Sequence, residues 1–313
     1  MGARKRYDGT LLRDLPAFRL INPYVMRGRT ESSVYYTQTI EIEKTHEFLR
    51  EYNAQRTPER RLTLFHVLLA AGVRTIALRP QINRFVSGRR IYQRNRIQFA
   101  FIVKKELSDE GEETNAKITF GAHDTIEEVR RRVEWHVEDA RRGDGNESDK
   151  EIEFFVRLPR IVLQLIVRAW NLLDYFGIAP REMIRLDPLY SSVYVANLGS
   201  VGLDAPYHHL YEWGNTSLFM VIGRPKRIWS HDRNGELESR LAIEIRYTVD
   251  DRITEGIYAA HSLQRFRNLV QDPTPLLRPP DLSEEQLAEL RLVEVDPPMP
   301  DRPPLETDPA QAY

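Results

Sequence analysis

Three carboxylates, Asp250, Asp251 and Glu255, fall within six residues around Arg252, and Gly256 follows them. The segment comes after an alternating run, Leu241-Ala242-Ile243-Glu244-Ile245-Arg246-Tyr247, and opens onto a helical run from Ile257 to Leu269. A general base works best with a pKa near the operating pH. An aspartate starts at about 3.9 and must be buried or crowded by another carboxylate to rise. Asp250 and Glu255 would supply that repulsion to Asp251, and Arg252 would oppose it. The second group with chemistry is Pro206-Tyr207-His208-His209-Leu210-Tyr211-Glu212-Trp213-Gly214. Its imidazoles titrate near neutrality and could serve as base or ligand; a stacked, hydrogen-bonded surface pair is the simpler expectation. Nothing in the spacing of His208, His209 and the Asp250 carboxylates fixes a metal geometry, so no metal is expected. Gly199 and Gly202 make no phosphate loop, because no lysine or helix start follows at the needed spacing.

The chain of 313 residues is 41% hydrophobic and 29% charged, with 45 basic and 46 acidic side chains. That balance gives no global field toward nucleic acid or anionic lipid, and no nucleic-acid partner is expected. Arg79, Arg84, Arg89, Arg90, Arg94 and Arg96 crowd two turns and a strand, and the expectation is a solvated basic face. The absence of cysteine excludes disulfides, thiolate metal sites and a thiol nucleophile, and fits a cytoplasmic protein. The first residues carry no apolar core for a signal peptide.

These groups must be held by helices and strands, which the pattern places in alternation. Residues 1–30 read as a basic, mostly irregular segment with breakers at Leu15-Pro16 and Asn22-Pro23. Ser33 to Ile42 alternates, with Gln38 as the polar exception on its apolar face. Thr45 is expected to cap a helix to about Asn53, and Thr63 to Leu78 to form the next. Strands follow near Arg89–Tyr92 and Ile97–Lys104, then an acidic loop from Glu106 to Asn115 and a short strand Lys117–Phe120. Thr125 with Glu128 reads as the capping box of a helix to about Arg142. An apolar helix over 154–176 carries a polar stripe: Arg157, Arg160, Gln164, Arg168, Asn171 and Asp174. It reads as packed into the core or a subunit interface, or alternatively as lying on a membrane surface. Strands return at Ser192–Asn197, Ser217–Ile222, Lys226–Trp229 and Leu241–Thr248, the last two joined by a hairpin turn at Asp232-Arg233-Asn234-Gly235. Ten of the 19 prolines fall in the last 41 residues, so the chain beyond 275 reads as an extended or disordered tail, apart from a possible short helix at Ser283–Leu292.

Five ordered blocks resemble the catalytic domain of the dihydrolipoyl acyltransferases, the core subunits of 2-oxo acid dehydrogenase complexes. Arg19 to Asn53 looks like the opening basic helix, long strand and helix of that family. Pro80-Gln81-Ile82-Asn83 looks like its P-x-x-N turn, Val195-Ala196-Asn197-Leu198-Gly199 like T-I-S-N-L-G, and Phe219-Met220-Val221-Ile222-Gly223-Arg224 like A-I-L-G-V-G. Asp250 to Gly256 resembles D-H-R-x-x-D-G, with Asp251 in the place of the catalytic histidine and Glu255 in that of the supporting aspartate. Phe266 to Pro275 resembles the closing helix. Ala196 stands where the family has the serine that donates to the oxyanion. His208 and His209 also resemble, out of register, the H-H-x-x-x-D-G of peptide-synthesis condensation domains.

The resemblance implies an α/β fold of the chloramphenicol acetyltransferase type, a mixed sheet flanked by helices, over residues 31–275. It implies a trimer with a site at the subunit boundary, and coenzyme A or an acyl-coenzyme A as ligand with a small acyl substrate. Residues about 105–185 would be a helical insertion, and 276–313 a Pro-rich tail. Asn83, Arg79 and Asn197 would line a cofactor site. With Asp251 and Ala196 at the reacting positions, the expectation is a binding or scaffolding protein; the alternative is an active acyltransferase whose base is His208, His209 or Asp251.

Overall fold

The alternating segments find their partners in one mixed sheet of a computed structural model that describes residues 6–104, 113–142, 157–231 and 234–293. Its strands are β2 (Ser33–Glu41), β5 (Ile97–Lys104), β6 (Glu113–Phe120), β7 (Val193–Asn197), β8 (Leu218–Ile222), β9 (Lys226–His231) and β10 (Leu237–Asp250). The order is β2-β10-β8-β7-β5-β6, with β9 paired to the first half of β10. β7 runs parallel to β5 and β8, and the other pairs are antiparallel. β1 (Gly9–Leu11), β4 (Arg90–Arg94) and β3 (Arg84–Ser87) make a separate small sheet.

Strand period two gives the main sheet two apolar faces. Phe99, Val195, Met220, Ile245 and Tyr247 point to the main core, beneath helices α2 (Glu43–Asn53), α3 (Leu64–Leu78), α4 (Ile126–Arg142) and α7 (Gly256–Gln271). α3 is buried along nearly its whole length, so the stretch Pro58–Leu78 that contains it, long and apolar enough by composition to span a bilayer, serves as core. Gln38, the polar exception of β2, is satisfied there by Tyr247 Oη at 3.2 Å and by donating to the Leu263 carbonyl at 3.3 Å. On the opposite face Ala100, Tyr194, Phe219 and Val221 pack under the irregular chain that carries Ala205 and Leu210.

Several expectations are corrected. The basic N-terminal segment contains β1 and a helix, α1 (Ala17–Val25), with Pro16 at its N-cap and Pro23 inside it. Thr45 caps nothing: it lies inside α2, fully buried, and its hydroxyl donates to the Val270 carbonyl at 2.6 Å. The strand expected at Lys117 starts at Glu113 and forms the sheet edge on β5, so the expected insertion contributes a strand to the sheet. The apolar helix, α5, spans Arg160–Phe176, since Pro159 has no N–H to give a helix interior and sits at the N-cap; 154–156 lie outside the described residues. Nor is α5 a core helix, for only Trp170 on it is buried. Trp170 donates to Tyr190 Oη at 3.0 Å and stacks on Trp213, and Asp174 pairs with Arg6 at 2.7 Å. A short helix, α6 (Arg181–Leu186), follows. Past residue 275 the short helix expected at Ser283–Leu292 is present as α8 (Glu284–Leu290), capped by Ser283 with Gln286, and Leu276 and Leu290 are buried. Residues 294–313 lie outside the described residues.

Candidate functional site

β10 ends at Asp250 because two other loops close over it: its N–H donates to the Ser217 carbonyl at 2.9 Å, and that of Asp251 to the Ser32 carbonyl at 2.9 Å. The buried Asp250 carboxylate accepts from Arg252 Nε at 2.8 Å and Nη2 at 2.7 Å, while Arg252 Nη1 donates to the carbonyls of Met26 and Arg27. Arg252 therefore faces inward onto Asp250. Asp251, between them, is exposed and makes no ion pair among the described residues. Glu255 is also exposed and meets Arg19 of α1 at 3.9 Å, and Arg19 Nη1 reaches the Asp251 carbonyl at 3.4 Å. The three carboxylates are thus held apart: one is buried and paired, and two stand at the surface.

The histidines lie on the second face of the sheet. His208 stacks on Phe219 at 4.0 Å between ring centroids and 7° between planes, and Phe219 stacks on Tyr194 of β7. His209 stacks on His208 at 5.2 Å, which makes them the stacked, hydrogen-bonded pair that the sequence suggests. The Thr248 hydroxyl holds the backbone carbonyl of His208, fixing this loop to β10 two residues before Asp250. His208 Nδ1 lies 2.8 Å from the His209 carbonyl, and His209 Nδ1 lies 3.0 Å from that of Leu210. Carbonyls only accept, so both Nδ1 atoms act as donors, and in a neutral ring that arrangement leaves the lone pair on Nε2.

Ala196 shares this face. It follows Tyr194 by two residues on β7 and is registered against Val221, as Tyr194 is against Phe219. The structure therefore brings His208 and Ala196 to one sheet face and leaves Asp251 and Glu255 at the end of β10. Asn197, half-buried, lines a cleft of about 240 Å³ with Thr63, Leu68, Gly199, Ser200 and Gly223. A side chain at Gly199 would lie 2.5 Å from the Gly223 carbonyl, so this wall of the cleft depends on glycine.

Asn83 and Arg79 lie elsewhere. Asn83 is buried and donates to the Arg96 carbonyl at 3.0 Å. Arg79 stacks on Tyr258 at 3.6 Å and donates to Ser262 and to the Tyr258 carbonyl, joining the end of α3 to α7. The expected basic face is also corrected. Arg94 is fully buried, donates to Asn215 Oδ1 at 2.7 Å and lies over Phe85, and Arg84 pairs with Glu289. Arg89 and Arg90 remain exposed at the β3–β4 turn.

Sequence reasoning missed Arg29 and Asp8. Burial pulls the Arg29 guanidinium below its ordinary value, against the attraction of Asp250; it donates to the carbonyls of Tyr211, Glu212 and Val86. Burial works against the Asp8 carboxylate, but Arg6, Arg94 and Asn215 outweigh it and hold the group below the usual range. Neither residue stands in a periodic pattern that would have marked it as buried.

No protein-family model matches the sequence, and no curated protein matches it. Solved structures do. Dihydrolipoamide acetyltransferase of Azotobacter vinelandii superposes with a TM-score of 0.56 at 14% identity, covering 85% of this chain and 94% of that one. In that enzyme a serine, a histidine and an asparagine have been investigated for their role in the catalytic mechanism. The cubic core of a pyruvate dehydrogenase multienzyme complex gives 0.55 at 14% identity, with 85% and 94% covered. Chloramphenicol acetyltransferase gives 0.50 at 14% identity, with 86% and 100% covered. The chain has the fold of these acyltransferases.

Proposed function

We propose that this chain is a binding or scaffolding protein built on the dihydrolipoyl acyltransferase fold, without acyl-transfer chemistry at the inherited positions. One observation carries this reading. Asp251, in the place of the family's histidine, is an exposed carboxylate whose arginine neighbour is already bound to Asp250. A carboxylate becomes a useful base near neutrality only when buried or crowded by like charge. The methyl group of Ala196 offers no hydrogen bond to an oxyanion, and losing one such donor costs about 10²–10³ in rate.

Coenzyme A, or an acyl-coenzyme A with a small acyl group, is the ligand suggested by the likeness to acetyltransferases. The cleft beside Asn197 supports it, with a polar rim of Asn197, Thr63 and Ser200 over an apolar floor of Leu68, Ile222 and Ile243. When bound, the thioester would supply an activated acyl group, and the part of these residues would be to grip the carrier arm. A homotrimer in the cytoplasm is the proposed form. Its support is the likeness to the core of a multienzyme complex and the absence of cysteine.

The tautomer of His208 favours a second reading, an active coenzyme A-dependent acyltransferase. Its Nδ1 is committed to a carbonyl, so that in a neutral ring Nε2 would be the basic atom, on the face that bears Ala196. Calorimetry with coenzyme A, beside acetyl transfer to dihydrolipoamide and to a panel of amines and alcohols, separates the two. Binding without turnover supports the first. Turnover lost in His208→Ala but kept in Asp251→Asn supports the second.

A further inference from the structure

Two helices of this chain carry apolar side chains that nothing among the described residues covers. On α5, Ile161 (72% exposed), Leu165 (58% exposed) and Leu172 recur at spacings of four and seven residues and form one stripe. On α1, Phe18 (73% exposed), Ile21 and Val25 (72% exposed) recur at three and four and form another. Burying such stripes is what a helix ordinarily gains from its fold, so a solvated pair of them marks a docking surface.

Beside the α5 stripe the charges have one sign, whereas on α1 Arg19 meets the exposed Glu255. Arg160 and Arg168 are exposed on α5, and the acid of that helix, Asp174, is turned away onto Arg6. Between the two helices lies a cleft of about 310 Å³ lined by Pro23 of α1, Asn171 and Tyr175 of α5, and Arg27 and Arg89. None of Arg27, Arg89, Arg160 and Arg168 forms an ion pair among the described residues. Arg29 and Arg252 lie beneath, spent on carbonyls and on Asp250. Of the acids at the cleft, Asp174 is held by Arg6, and Glu212 accepts from the backbone N–H groups of Arg29 and Thr30. Arg27 and Arg89 thus stand at its rim with their guanidinium groups in no ion pair among the described residues, although the Glu31 carboxylate accepts from the Arg27 backbone N–H.

We propose that α1, α5 and the cleft between them form a docking surface for an anionic phospholipid bilayer. Phosphate headgroups would meet Arg27, Arg89, Arg160 and Arg168, while the two stripes enter the boundary of the acyl chains. A helix with an apolar stripe edged by arginine is suited to that plane, and the arginine stems reach along the apolar surface to the headgroups. Acyl chains and phosphates together match what this surface presents, whereas a free phosphate would leave the stripes in water. The inference stands apart from the proposed function, since none of its residues is a candidate for acyl transfer.

Flotation of the full chain with vesicles tests it. Binding is expected to vesicles of phosphatidylcholine mixed with phosphatidylglycerol, to weaken with salt, and to be nearly absent with phosphatidylcholine alone. Leu165→Asp, and Arg27→Glu combined with Arg89→Glu, should each lower the vesicle partition coefficient by about tenfold or more. Millimolar inorganic phosphate should not displace the bound protein. These side chains are exposed, and circular dichroism with a melting curve confirms that each variant is folded. Folded protein that fails to float with anionic vesicles overturns the proposal. So does a Leu165→Asp variant that breaks an oligomer and leaves vesicle binding unchanged, which would make the stripe a contact between copies of this chain.

Discussion

Arg252 grips Asp250 through Nε at 2.8 Å and Nη2 at 2.7 Å, in a buried two-point ion pair that skips over the residue between them. The pair, with the carbonyls of Met26 and Arg27 on Nη1, makes the turn after β10 a structural joint. Removing one partner of a buried pair leaves the other charge uncompensated. Asp250→Asn and Arg252→Ala should each cost about 3–5 kcal/mol in urea denaturation, and Asp251→Asn within about 0.5 kcal/mol of nothing. Equal small losses for all three would show that the joint is not held by charge.

The resemblance to D-H-R-x-x-D-G made the order of β10, turn and α7 legible, and the alternation of β2, β5 and β10 marked the sheet. What was not legible depends on partners distant in sequence. Thr45 looks like a cap until Val270, 225 residues away, is seen to accept its hydroxyl. Arg94 looks solvated until Asn215 and Phe85 enclose it. The apolar tract before Phe176 reads as core because composition reports hydrophobicity and not whether a neighbour exists to cover it. The stacked histidines were visible as a pair, but Phe219 lies beneath His208 through the pairing of β8 with β10, whose Thr248 holds the His208 carbonyl.

His66 closes the capping box of α3, where the Thr63 N–H donates to its Nδ1 at 3.2 Å. Burial first, and then the Arg130 charge, pulls the imidazole from 6.5 down to about 4. The folded protein therefore resists a proton that the unfolded chain accepts below about 6.5. Stability should be full above that pH and fall by about 3 kcal/mol as pH drops toward 4. Glutamine keeps an acceptor at this position, so His66→Gln should flatten this part of the profile of melting temperature against pH. An unchanged slope would assign it to other groups.

Gly88 turns the β3–β4 hairpin at φ +55°, and a Cβ there would lie 2.0 Å from the Tyr175 carbonyl oxygen at the end of α5. Gly88→Ala should strain the turn and push α5 off the small sheet, costing about 2 kcal/mol or more. Urea unfolding followed by tryptophan fluorescence reads it directly, since Trp170 of α5 stacks on Trp213. An unaffected midpoint would show that the helix end yields freely.

Trp170 is the anchor of α5, buried against Tyr190 and Trp213. Trp170→Ala should cost about 3–5 kcal/mol and release the helix to proteolysis at Arg160 and Arg168, while leaving the cleft beside Asn197 intact. Protease resistance equal to that of the parent would mean that the helix is held by its other contacts, Arg6 with Asp174 foremost.

The most direct test of the central claim is acetyl transfer from acetyl-coenzyme A to dihydrolipoamide, measured for the parent and for Asp251→Asn side by side. The account predicts that the substitution leaves the rate where it was, because an exposed carboxylate at that position takes no proton from the acceptor. A parent rate of about 1 s⁻¹ or more that falls by about 10² or more in Asp251→Asn would contradict it.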